Sequence, residues 1–129
     1  MIKNGSNRFS FRQRLKSFGY AFMGLRDFFS TQHNAIIHLA VTVIVFLAGW
    51  YFHLSRLEWA AITIVAAMVW AAELFNTAIE KMMDLYSKEF HPGIRFVKDV
   101  AAAAVLICAI SAVVVGLLVF LPKIISWRF

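Results

Sequence analysis

The chain has 129 residues, 61% of them hydrophobic, with a net charge of +6 and a mean hydropathy of +0.72. Soluble domains average roughly 45–50% apolar residues, so these values exclude an ordinary soluble enzyme and point to an integral membrane chain of one domain. Positive charge suits nucleic acid or anionic lipid, and this hydropathy selects lipid; the single Cys108, in an apolar run, excludes a disulfide framework.

In chain order, Met1 to Ser6 is expected to be a disordered start. From Arg8 to Phe29, Phe11, Leu15, Phe18, Phe22, Leu25 and Phe29 recur at alternating steps of four and three, while Arg12, Arg14, Lys16 and Arg26 fall off that stripe. This pattern predicts an amphipathic helix. Two readings stay open for its Phe-rich face: it lies in the membrane interface, or it packs on the protein's own helices. The same polar, basic stretch has no continuous apolar core or small-residue cleavage site, so no signal peptide is expected.

Three apolar segments follow, at 35–52, 57–75 and 100–121. Each approaches the roughly 20 residues that cross a hydrocarbon core of about 30 Å. The expected fold class is therefore all-α and integral membrane, an N-terminal surface helix plus three transmembrane helices in a single domain. Ser55-Arg56-Leu57-Glu58 fits the Ser-x-x-Glu capping box that opens a helix. The third span is expected to stop at Pro122. Trp50, Tyr51, Trp59 and Trp127 sit near segment ends as interfacial anchors.

Basic residues orient the chain. Lys3, Arg8, Arg12, Arg14, Lys16 and Arg26 precede the first span, and Lys81, Lys88, Arg95 and Lys98 surround the link between the second and third. The opposite side carries only Arg56, Lys123 and Arg128. The positive-inside rule then predicts a cytoplasmic N-terminus and an external C-terminus.

The informative stretch is Glu73 to Asp99, which holds Glu73, Glu80, Asp84, Glu89 and Asp99 among the chain's 7 acidic residues. Glu73, Asn76, Glu80 and Asp84 are spaced three, four and four apart. On a helix they form one polar stripe, whose like charges repel unless a cation offsets them. If the second helix starts near Leu57, Glu73 lies roughly 24 Å along it, at the inner membrane boundary, and the helix is expected to extend into the cytoplasm to about residue 87. An ionisable group at that depth is a functional candidate, the alternative being a structural glutamate bonded to a neighbouring helix. Glu80, Asp84 and Asn76 are hard oxygen donors of the kind magnesium takes together with phosphates. His91-Pro92-Gly93 breaks the helix, and Lys98 is a point charge suited to phosphate. A helix end dressed with charges for solubility is the competing reading. The Gly-x-x-x-x-Gly-Lys-Ser/Thr loop is absent, so a nucleotide must be held in another way.

Together these residues resemble the prokaryotic diacylglycerol kinase family, small three-span membrane lipid kinases. The matching pattern is Glu73-x-x-Asn76-Thr77-Ala78-Ile79-Glu80-x-x-x-Asp84, then Glu89-x-His91 and Lys98-Asp99, within a likeness running from about Arg14 to Pro122. Tyr20-x-x-x-Gly24-Leu25, His33-Asn34-x-x-x-His38 and Phe120-Leu121-Pro122 look closest to the undecaprenol kinase branch. The resemblance implies transfer of the γ-phosphoryl of ATP, with Mg2+, to the hydroxyl of a membrane lipid, undecaprenol first and diacylglycerol next. It implies Glu73 as catalytic base and Glu80 as metal ligand. Tyr20, Gln32, Asn76, Glu80, Asp84, Glu89, His91, Lys98 and Asp99 become nucleotide-side residues, and Glu73, Asn34 and His38 lipid-side ones. It further implies a homotrimer in the bacterial cytoplasmic membrane.

The chain departs from the family where Gln32 replaces a metal-binding glutamate; an amide oxygen coordinates without charge, so metal affinity should fall. Ile36 stands where the branch tends to show arginine, and Gly93-Ile94 where it shows an earlier basic residue that Arg95 could replace. Gln13 and Ala103 also differ. One rival is a catalytically weakened relative that only binds nucleotide or lipid because of Gln32. Another is a channel or transporter subunit, which predicts polar residues on several spans; span one offers His38 and Thr42, span three almost only Ser111.

Overall fold

A computed structural model of the chain describes residues 10–126. All regular structure within it is helical: α1 (Phe11–Thr31), α2 (His33–Tyr51), α3 (Arg56–Tyr86) and α4 (Pro92–Ser126). The chain divides into two compact units, Met1–His33 and Asn34–Phe129. The disordered start expected for Met1 to Ser6, and Trp127 and Arg128, lie outside the described residues.

In the first unit, Ser10 caps α1, its hydroxyl accepting from the Gln13 N–H at 3.4 Å. The amphipathic stripe is largely uncovered: Phe11, Leu15, Phe18 and Phe22 are each more than half exposed. Such a face suits the membrane interface, where lipid covers it. At the other end Gln32 is extended, and its N–H closes the last turn on the Phe28 carbonyl at 3.0 Å.

In the second unit α2, α3 and α4 are each long and apolar enough to cross a membrane. Most of their large hydrophobic side chains face outward. In lipid that costs nothing, because the hydrophobic effect no longer drives such groups inward. The buried core is correspondingly small, Leu54, Ile62 and Val119 with Val45, Trp59, Val115 and Phe120 around them. It sits at the α2–α3 link. There α2 ends with His53 in the left-handed region (φ 51°), the Leu54 N–H reaching the Gly49 carbonyl at 3.1 Å. The expected capping box forms: the Ser55 hydroxyl accepts from the Glu58 N–H, and the Glu58 carboxylate accepts from the Ser55 N–H at 2.7 Å. Glu58 also pairs with Lys123 of α4 at 3.1 Å.

Gly49 allows the close approach of α2 to α3. A Cβ there would lie 2.7 Å from the Trp59 ring and 3.0 Å from a Leu54 methyl. Trp59 is half-buried and packs against that core. Gly49→Val is expected to destabilise the fold by about 1–3 kcal/mol through overpacking, read as a lower unfolding midpoint in detergent.

The second span is part of a helix that continues without a break to Tyr86, close to the expected end near residue 87, whereas α4 begins at Pro92, well before Val100. Pro92 occupies the first helical position, where its missing N–H is no loss. The stop expected at Pro122 does not occur, since α4 runs through it to Ser126. Proline forfeits the hydrogen bond to the preceding turn and crowds the carbonyl it would have bonded. One turn from the end of α4, that freed carbonyl is within reach of interfacial water, so the helix continues.

Candidate functional site

The polar stripe on α3 is real, and each of its carboxylates has found a different partner. Glu73 is buried, 7% exposed, and its Oε1 lies 2.7 Å from His38 Nε2 on α2. One turn on, the Asn76 amide donates to Glu80 Oε1 at 3.1 Å. At the exposed end Asp84 Oδ1 accepts from Lys98 Nζ of α4 at 2.5 Å. Imidazole, amide and ammonium thus separate three like charges that a bare stripe would set against one another.

His38 is itself held in place. The Thr42 hydroxyl donates to the His38 carbonyl at 2.7 Å and accepts from the Trp70 indole N–H at 3.1 Å. The Trp70 ring meets the imidazole edge-on, with centroids 6.1 Å apart. Trp70 was not anticipated from sequence as part of a site. Its signal was a tryptophan in mid-span, where an indole N–H must find a polar partner.

Two spaces adjoin the stripe. The first is an apolar groove of about 500 Å³ between α2 and α4, floored by α3. Small residues on α3 and α4 (Ala66, Ala109, Ala112 and Gly116) open it, and His38 and Thr42 supply its polar atoms. The second is a polar cavity of about 470 Å³ at the α3–α4 turn, lined by Asp84, Glu89, His91, Lys98 and Asp99 together with Arg95. Five of the residues expected on the nucleotide side are therefore neighbours. Arg95 joins them through a 3.5 Å pair with Asp99, and the His91 ring accepts from the Gly93 N–H at 3.1 Å. Asn76 and Glu80 lie between the two spaces, about 6–12 Å along the helix from Asp84. Tyr20, exposed on α1, and Gln32, at its C-terminus, belong to the other unit. Asn34 is exposed in the first turn of α2.

The donor set around Glu80 fits a magnesium ion. Asn76 Oδ1 is buried and has no hydrogen-bond partner. Rotating the amide would set oxygen against the Glu80 carboxylate, so the orientation that leaves Oδ1 unsatisfied is the favourable one. The Asn76 oxygen and the Glu80 carboxylate are hard donors of the type magnesium takes. Among the described residues no three His, Cys, Asp or Glu side chains converge. Magnesium bound through one or two carboxylates and substrate phosphates needs no such cluster.

Comparison with known proteins yields one family. The prokaryotic diacylglycerol kinase profile matches residues 19–120. The chain is 37% identical over 122 residues to an undecaprenol kinase of Bacillus subtilis, covering 95% of both chains. It is 39% identical over 113 residues to a diacylglycerol kinase of Synechocystis sp., covering 87% of this chain and 65% of that one. A diacylglycerol kinase of Helicobacter pylori is 32% identical over 99 residues, 75% of this chain and 76% of its own.

Proposed function

Because the chain belongs to the prokaryotic diacylglycerol kinase family, and is therefore a multi-pass membrane lipid kinase, we propose that it moves the γ-phosphoryl of MgATP onto undecaprenol, with diacylglycerol the second choice of acceptor. The observation that carries this reading is the buried Glu73–His38 pair, at the polar end of an apolar groove, on a helix that continues into a charged cavity. One end suits an oily alcohol and the other a triphosphate. The name of the 37%-identical relative and the Tyr20, Asn34 and His38 motifs favour undecaprenol.

Phosphoryl transfer asks for positioning and charge neutralisation more than for covalent help. Glu73 supplies the negative charge that draws the proton from the lipid hydroxyl as its oxygen attacks the γ-phosphorus. Asn34 and His38 face the lipid side. Lys98 exchanges its Asp84 partner for phosphate oxygens when the nucleotide enters, and Glu89, His91, Asp99 and Tyr20 contact the rest of it. Glu80 and Asn76 hold the magnesium, with Gln32 a weak further ligand. Bound there, the metal offsets charge on the phosphates. The charge pattern supports a cytoplasmic N-terminus and α3–α4 turn with the C-terminus outside. A homotrimer supports the site, because three thin helices do not enclose a nucleotide.

The test is purified protein incubated with labelled ATP and each lipid in turn. Label is expected in undecaprenol first, and Gln32→Glu is expected to raise the rate and lower the magnesium requirement. Label in neither lipid while ATP still binds defeats the kinase proposal and leaves a nucleotide-binding relative.

A further inference from the structure

A pair of side-chain hydrogen bonds crosses from α2 to α3, one helical turn apart. Glu73 Oε1 lies 2.7 Å from His38 Nε2, and the Trp70 indole N–H donates to the Thr42 hydroxyl at 3.1 Å. His38 and Thr42 are four residues apart on α2, and Trp70 and Glu73 three apart on α3, so each couple shares one face of its helix. The bonds are rungs of one antiparallel ladder. A single rung leaves two helices free to pivot about it, and a second fixes both register and rotation. The Thr42 hydroxyl is used in both directions: its proton goes to the His38 carbonyl at 2.7 Å, one turn back, while a lone pair takes the indole. The Trp70 ring also meets the His38 imidazole edge-on, with centroids 6.1 Å apart. Four residues thus close a loop across two helices. The α3–α4 pair is held differently, by the Glu58–Lys123 and Asp84–Lys98 ion pairs at its two ends.

Resting on the lipid-kinase reading above, in which Glu73 is the base, we propose that Trp70 and Thr42 are positioning residues for Glu73. Their hydrogen bond sets the α2–α3 register that aims the carboxylate at the lipid hydroxyl. Trp70 does not line the apolar groove; it acts through Thr42 and His38. With Oε1 engaged by His38, Oε2 is left for the hydroxyl proton. A misplacement of about 1 Å at a reacting group costs up to about 100-fold in rate. A side-chain hydrogen bond between membrane helices contributes far less to stability. The Trp70–Thr42 rung therefore shows in turnover, not in folding.

Trp70→Phe keeps a ring and removes the N–H, and Thr42→Val keeps the shape and removes the hydroxyl. Each is expected to lower kcat on undecaprenol, per folded protein, by about 10- to 100-fold. The KM for ATP should stay at its wild-type value, since the nucleotide cavity lies at the far end of α3. The double variant is expected to be no slower than the slower single, because the same bond is lost either way. Thr42→Ser restores a hydroxyl and should keep most of the wild-type rate. Single variants within about three-fold of wild type, losses that multiply in the double variant, or Thr42→Ser as slow as Thr42→Val overturn the proposal. A lower unfolding midpoint with kcat per folded protein unchanged makes the pair merely structural and overturns it too. Proton NMR of the Trp70 indole in the intact wild-type protein decides without any variant. An exchange-protected, hydrogen-bonded N–H supports the rung, and a rapidly exchanging one overturns it. Wild-type protein that phosphorylates neither lipid defeats the kinase reading itself, an outcome separate from all of these.

Discussion

Glu73→Gln is expected to abolish lipid phosphorylation while leaving ATP binding nearly intact. Glutamine is isosteric with glutamate, so the buried position stays filled. What changes is charge and proton bookkeeping. An uncharged amide does not draw the lipid proton. It also replaces an acceptor oxygen by an N–H2 donor or a neutral carbonyl opposite His38 Nε2, weakening that contact. General acid–base groups contribute roughly 100- to 10,000-fold, which is the fall in turnover expected here. Steady-state turnover on undecaprenol, with nucleotide binding measured in parallel, checks it. Turnover near wild type would remove Glu73 from the chemistry altogether.

The second large effect is expected at Glu80. Glu80→Ala removes the one charged donor beside the orphaned Asn76 oxygen and leaves the Asn76 amide N–H without its acceptor. A metal clamp on a transferring phosphoryl group supplies several kcal/mol, so kcat at fixed magnesium should fall by at least about 100-fold, with the magnesium midpoint moved upward. Stability should fall too, by about 1–3 kcal/mol for the unsatisfied donor. A magnesium titration separates the two consequences. An unchanged midpoint means that Glu80 holds no metal.

The architecture was legible because hydropathy and charge spacing act locally. Three apolar runs and one Ser-x-x-Glu box are enough to mark the long helices and the start of α3, and period-3.6 spacing alone aligns Glu73, Asn76, Glu80 and Asp84. Helix ends were less legible, since Pro122 breaks a helix only where the lost bond is costly, and near the end of α4 it is not. Partners across helices were not legible at all. That Glu73 meets His38, that Trp70 meets Thr42, and that Lys98 rests on Asp84 depend on the register between antiparallel helices. Spacing within one helix carries no information about that register. Repulsion along the stripe suggests a shared cation; interhelical hydrogen bonds instead satisfy Glu73 and Asp84 separately, and Asn76 Oδ1 is left without a partner.

The unbroken course of α3 from Arg56 to Tyr86 has one more consequence. Glu73, Glu80 and Asp84 ride on a single stiff rod, so whatever tips, lifts or rotates it carries all three by the same rigid displacement. Their mutual distances are set by helical pitch and not by the surrounding bilayer, which leaves α2 and α4 as the parts whose sliding retunes the reaction geometry.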